Sequence, residues 1–254
     1  MRGRAHLAAA VGAILIAGCG GAHTATQAHP SVRTATRPVQ SSVRTLGPLA
    51  AVPRVLRGQI PDRLPTKRHV VALTFDAGAN DAGAPKILSV LARTGATATF
   101  FMTGRWAELY PGWARRIVAH YPIANHTFNH HDLLGLTLPE VRDELLSAAA
   151  TITRVTGGPP IHLFRFPYGS SNGSTLDLVN RLGYTAVGWT VDTLGWRGAS
   201  AADIVNRSLR LASPGALYVL HVGHTSQDGP ALARIVTSLR ERGYGFVAVD
   251  SLPL

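Results

Sequence analysis

The chain has 254 residues, 46% hydrophobic and 15% charged, a balance that excludes a disordered chain and leaves room for one large domain or two small ones. Its net charge of +11 suggests a nucleic-acid binder until it is divided along the sequence. Eight Lys/Arg against the single acid Asp62 fall in residues 20–68, whereas residues 69–254 hold 15 basic and 13 acidic side chains, so the folding part carries no basic stripe and no nucleic acid is expected as a partner.

Met1–His6 is basic and Leu7–Ala17 is apolar, too short a run to span a bilayer and shaped like a secretory signal. Ile16-Ala17-Gly18-Cys19 resembles a bacterial lipobox, in which Cys19 would be acylated and hold the protein to the outer face of the plasma membrane. It is the only cysteine, so no intrachain disulfide forms. Residues 20–68 are rich in Pro, Ala, Thr, Ser and Arg without helical or strand periodicity, which predicts a flexible basic tether.

From His69 the pattern becomes regular, and 69–254 is read as the folded domain. Apolar strand candidates are 70–76, 97–102, 122–126, 161–166, 184–190, 216–221 and 245–250, with amphipathic helical segments between them. Thr137-x-x-Glu140, Ser174-x-x-Asp177 and Ser200-x-x-Asp203 are candidate capping boxes, and Gly95, Gly157, Gly183 and Gly243 are candidate helix stops. About seven strand–helix units imply an α/β fold of parallel strands, either an open sheet or a distorted (β/α) barrel.

Polar residues recur where the apolar runs end. Asp76 closes the densest run, His69-Val-Val-Ala-Leu-Thr-Phe-Asp76. His126 and His130 stand four apart after the third strand, a pair suited to Zn²⁺, Co²⁺ or Ni²⁺. Arg165 ends the fourth run ahead of Pro167-Tyr168-Gly169. Asp192 lies between Trp189 and Trp196, whose rings suit either sugar stacking or core packing. His221 follows Leu217-Tyr-Val-Leu220; paired with a carboxylate such as Asp192, it would serve as a general acid. The carboxyl ends of parallel strands share one rim, so these groups supply the parts for metal-assisted attack of water on a carbonyl.

Thr74-Phe-Asp76-Ala-Gly78, His126-Thr-Phe-Asn-His130, Arg165-Phe-Pro-Tyr168, Asp192 with Trp196, and Leu220-His221 resemble the five ordered motifs of the polysaccharide deacetylases, the NodB-homology group or carbohydrate esterase family 4. The resemblance implies a distorted (β/α) barrel of the NodB-homology type that removes N-acetyl groups from peptidoglycan or a chitin-like glycan, acting as a monomer. It implies Asp76 as general base, His126 and His130 as ligands of Zn²⁺ or a similar divalent metal, and Arg165 positioning Asp76. It further implies the Tyr168 amide at the oxyanion, His221 tuned by Asp192 as acid, and Leu220 with Trp196 lining the groove for the acetyl methyl. One position departs from the pattern: Ala77 stands where the family usually has a second, metal-binding Asp, with Asn80 and Asp81 as nearby substitutes. That departure keeps open a silent carbohydrate-binding lipoprotein as the alternative.

Overall fold

A computed structural model describes residues 52–251; the signal segment, Cys19 and residues 20–51 of the tether lie outside the described residues. Strand β1 (Val70–Ala77) is buried along its whole length, as its unbroken apolar run requires. It pairs in parallel with β2 (Ala98–Met102) and β7 (Leu217–His221), and the short β8 (Gly245–Phe246) joins its start. With β3 (Ile123–Asn125), β4 (Ile161–Phe164), β5 (Thr185–Ala186) and β6 (Val191–Asp192), the order is β5-β4-β3-β2-β1-β7-β6. The sheet curls but its end strands, β5 and β6, do not pair, so the barrel stays unclosed along one seam.

The run 184–190 yields only a two-residue strand, because the chain leaves the ladder at Gly188. Its N–H donates to Pro61 O, and Thr190 N–H donates to Leu217 O. Residues 187–190 thus cross the seam tied to the segment that leads into the domain. That segment corrects the tether boundary. Val52, Leu56 and Leu64 are buried, Leu64 N–H donates to Gly215 O at 2.8 Å, and Arg63 bridges Ala216. The folded body therefore begins by residue 52 and not at 69.

Helices α1 (Ala84–Thr94), α2 (Gly104–Leu109), α3 (Pro111–Val118), α4 (Leu138–Thr156), α5 (Gly173–Arg181), α6 (Ala201–Arg210) and α7 (Asp228–Glu241) join the strands. Glu140 accepts from Thr137 N–H at the start of α4, and Ser200 Oγ accepts from Asp203 N–H at α6, as the caps predict. Helix α5 instead starts two residues early: Asn172 caps Thr175, so Ser174 lies inside the helix. Gly95, Gly157, Gly183 and Gly243 all take positive φ at or just past helix ends.

Alternation along the strands separates two layers. Val71, Leu73, Phe75 and Ala77 pack outward with Tyr218 and Leu220 against Ile87, Leu91, Ile235 and Leu239 of α1 and α7. Ala72, Phe101, Ala124 and Leu217 point inward, where Leu64 from the lead-in and Val249 complete the cluster. The Val, Leu, Ile and Phe side chains among them each contribute roughly 1.5–3 kcal/mol of burial. The inward positions further along β1 are polar, Thr74 and then Asp76, and there the interior turns from core into site.

Candidate active site

Asp76 and Arg165 form the base of the site. Arg165 is fully buried, and its Nη1 donates to Asp76 Oδ1 at 2.7 Å and to Thr74 Oγ1 at 2.8 Å. Nη2 donates to Gly188 O at 3.1 Å, and the guanidinium carbon sits 4.0 Å from the centre of the Phe101 ring. Burial alone would raise the Asp76 pKa, but the charges of Arg165, His126 and His221 and the Arg165 hydrogen bond hold it below the ordinary carboxylate range. Because His126 is uncharged at neutral pH, the guanidinium has the main hold.

His126 follows β3 and is buried; its Nδ1 lies 2.9 Å from Arg165 O. Burial brings its pKa down to about 4, aided by the charges of His130 and Arg165 and opposed by Asp76. The His130 ring meets the His126 ring edge-on at 4.8 Å and the Tyr168 ring at the same distance. Burial lowers His130 as well. The loop carrying both imidazoles is pinned by Glu144 of α4, whose carboxylate accepts from Phe128 N–H at 2.9 Å, Asn129 N–H at 2.8 Å and the Asn129 amide at 2.8 Å. A Cβ on Gly78 would come within 3.2 Å of His130 Cδ2, so the turn after β1 stays slim to let that ring approach.

His221 ends β7 directly opposite Asp76 in the strand register. Its nearest carboxylate is Asp228, with Nδ1–Oδ2 at 3.9 Å, and this corrects the pairing expected with Asp192. Asp192 is otherwise engaged: it accepts from Leu194 N–H at 2.8 Å and Trp196 Nε1–H at 3.2 Å, bracing the turn that presents the indole. Burial opposes protonation of His221, but contact with Asp228 and the charges of Asp76, Asp228 and Asp192 outweigh it and raise its pKa. At 3.9 Å this contact is an ion-pair separation, longer than a hydrogen bond.

One cavity of about 450 Å³ is lined by Asp76, His126, His130, Tyr168, His221 and Trp196, with Arg165 beneath it. Tyr168 and Trp196 are exposed by 69% and 51%, unusual for rings of this size. Leu220 does not line this space: it belongs to the outer core, and Val219, one residue earlier, faces the cavity. Tyr168 has φ of 58°; Gly169 and Ser170 N–H donate to Phe166 and Pro167 carbonyls, while the Tyr168 N–H has no acceptor among the described residues. Thr127, His130 and Leu194 share positive φ, so every non-glycine residue in that strained region, among those described, sits in a loop of this rim.

A divalent ion is tested by one atom. Arg165 O can only accept, so the His126 ring proton is on Nδ1 and Nε2 carries a lone pair. That Nε2 is buried without a hydrogen-bond partner and faces Asp76 Oδ2 at 3.6 Å. Two lone-pair carriers opposed in a buried space fit a cation. Ala77 is packed in the outer core, Asp81 accepts from Trp113 Nε1–H at 2.9 Å, and Asn80 is held to His224 at 2.7 Å. None of the three completes a cage, and among the described residues no group of three His, Cys, Asp or Glu is arranged to hold a metal. What fits a cation is the facing pair of His126 Nε2 and Asp76 Oδ2, with the His130 ring 4.8 Å from that of His126.

Residues 63–187 match the family model for polysaccharide deacetylase. A peptidoglycan-N-acetylglucosamine deacetylase of Bacillus cereus is 33% identical over 192 residues, covering 74% of this chain and 70% of that protein. Among solved structures, PdaA of Bacillus subtilis, a family 4 carbohydrate esterase, superposes with a TM-score of 0.73 at 31% identity, over 78% of this chain and 86% of that one. A CE4 family pseudoenzyme from Bacillus anthracis superposes at 0.68 with 27% identity, over 73% and 65%. Its curled parallel sheet, the polar groups gathered at its carboxyl rim and the identity it shares with these relatives together make this chain a member of the polysaccharide deacetylase family, hydrolases acting on carbon–nitrogen bonds.

Proposed function

We propose that the cavity binds an N-acetylated amino sugar of peptidoglycan or of a chitin-like glycan and hydrolyses its acetamide, releasing acetate and leaving the free amine. The observation that carries this reading is the facing of Asp76 and His221 across one strand register on a cavity large enough for an acetamide and its sugar ring, where the surrounding charges favour the ionised form of Asp76 and the protonated form of His221.

Asp76 takes a proton from the attacking water, held in line by the Arg165 fork. The carbonyl oxygen becomes an oxyanion as the water oxygen bonds to carbon, and the Tyr168 amide, which has no acceptor among the described residues, is the donor we assign to it. His221 gives its proton to the amide nitrogen, the carbon–nitrogen bond breaks, and acetate leaves. Val219 and Trp196 supply apolar surface for the methyl group, and the open faces of Tyr168 and Trp196 suit the sugar rings on either side. His126 and His130 would hold a divalent ion, Zn²⁺ foremost with Co²⁺ or Ni²⁺ as alternatives, and such an ion would supply Lewis-acid polarisation of the carbonyl.

A second reading, a glycan-binding protein with little or no turnover, is favoured by Ala77 and by likeness to the pseudoenzyme. Acetate release from peptidoglycan and from chitin oligomers, by chelated protein with and without Zn²⁺ or Co²⁺, separates the two. Release restored by metal supports the enzyme; glycan binding without release at any metal concentration supports the second reading. We also read Cys19 as the lipid anchor of a monomer at the outer face of the plasma membrane, to be checked by loss of acyl labelling in Cys19→Ala.

A further inference from the structure

We propose that Asp228 is the carboxylate that positions His221, seated in a volume that Gly195 keeps open for it. The proposal rests on the reading of His221 as the proton donor. Asp228 is the first residue of α7 and is wholly buried. Its Oδ2 accepts from His221 N–H at 2.8 Å and from Ser226 Oγ at 2.7 Å, and its own N–H donates back to Ser226 Oγ at 3.1 Å. Oδ1 has no partner, and neither has His221 Nδ1, although both are buried. A carboxylate oxygen and a ring nitrogen that lack partners within one desolvated pocket are complementary. Closing the 3.9 Å between Nδ1 and Oδ2 to a hydrogen bond takes a shift of about 1 Å.

Gly195 supplies the second, independent observation. A Cβ there would lie 2.5 Å from Asp228 Oδ2, 2.5 Å from Ser226 Oγ and 2.7 Å from Asp228 Cγ. The carboxylate cannot retreat, because it is hydrogen-bonded to the backbone of His221 itself, whereas the Ser226 hydroxyl, at the end of one rotatable bond, can turn aside once the carboxylate is gone. Glycine at 195 and aspartate at 228 are therefore a matched pair, and a carboxylate carried by residue 195 would fill the same space. Asp76 from β1 and Asp192 from β6 also face His221, and the Trp196 ring lies 6.5 Å away. Of these acids, only Asp228 is within ion-pair reach among the described residues.

The test compares the full chain with Asp228→Asn, Asp228→Ala and the double variant Gly195→Asp/Asp228→Ala. Two readouts are taken: acetate release from chitin oligomers across pH, and titration of the His221 ring by NMR on histidine-labelled protein. Loss of the carboxylate should cut kcat about tenfold or more with KM changed less than about twofold. The basic limb and the His221 titration should both move about one unit toward lower pH. The double variant should recover most of both. A His221 titration unmoved in folded Asp228→Asn, or a folded double variant no better than Asp228→Ala, overturns the proposal. Should Asp228→Ala fail to fold, the near-isosteric Asn variant decides by the same titration. If the wild-type chain releases no acetate, the active-site reading fails, while the NMR titration still reports on the Asp228–His221 pair.

Discussion

Arg165 Nη1 donates to Asp76 Oδ1 at 2.7 Å from a guanidinium with no exposed surface. The same group reaches Thr74 Oγ1 and Gly188 O, so one planar fork ties the end of β1 to the seam of the sheet. An ammonium has no such fork. Arg165→Ala leaves Asp76 as an unpaired buried charge and should lower stability by about 3–5 kcal/mol in urea unfolding. Arg165→Lys should fall between that variant and wild type; unchanged midpoints in both would remove Arg165 from its structural role.

Asp76→Asn keeps the size of the side chain and removes its basicity. Turnover should fall by about 10²–10⁴-fold, while glycan binding, followed by fluorescence of Trp196, stays within a few-fold of wild type. Residual turnover near the wild-type rate would locate the base elsewhere.

Acid should weaken the chelated protein for an identifiable reason. His126 titrates at about 4 in the fold against an ordinary value near 6.5, so between these the unfolded chain binds more protons. Its contribution is full above about pH 6.5 and lost as pH falls toward 4, by roughly 3 kcal/mol at most. His221 has the opposite sign: with its pKa raised, its contribution is full below about 6.5 and lost as pH rises through the folded value. Urea midpoints measured from pH 4 to 9 should therefore peak near neutrality, and in His126→Gln the acid arm should flatten.

Glu144 holds the loop of His126 and His130 by three hydrogen bonds from the buried face of α4, where its neighbours Val141, Leu145 and Ala148 are apolar. Glu144→Ala should speed amide exchange at Phe128 and Asn129 and weaken Zn²⁺ uptake by about 10–100-fold. His126→Ala should abolish stoichiometric uptake. Uptake unchanged in both variants would reassign the ligands.

The lead-in is part of the folded body. Leu64→Ala should cost about 2–5 kcal/mol, and a chain truncated to begin at His69 should lose more, since Leu64, Pro61 and Asp62 all leave with it. Equal melting temperatures would return residues 52–68 to the tether.

What could be read from the residues follows the length of each signal. Eight buried residues of β1 and the caps of α4 and α6 are long or local patterns, and the rim residues Asp76, His126, His130, Arg165 and His221 stand directly after such runs. Strand β6 has two residues and no periodicity to detect. Leu64 is one leucine in a polar stretch, and only its tertiary neighbours mark it as core. Asp228 reads as an ordinary acid at a helix start, where the N-terminal dipole favours one anyway. The exchange of Val219 for Leu220 was within reach: counting back by twos from His221 puts Val219 on the inner face and Leu220 on the outer.

The lead-in has one more consequence. Pro61 and Asp62 accept hydrogen bonds from Gly188 and Thr190, on either side of Trp189, whose ring lies 5.7 Å from the Arg165 guanidinium. The incoming chain is thereby fastened to the loop that crosses between the sheet's two free edges. Two hydrogen bonds and one ring thus make residues 61–62 a buttress for the guanidinium that holds Asp76.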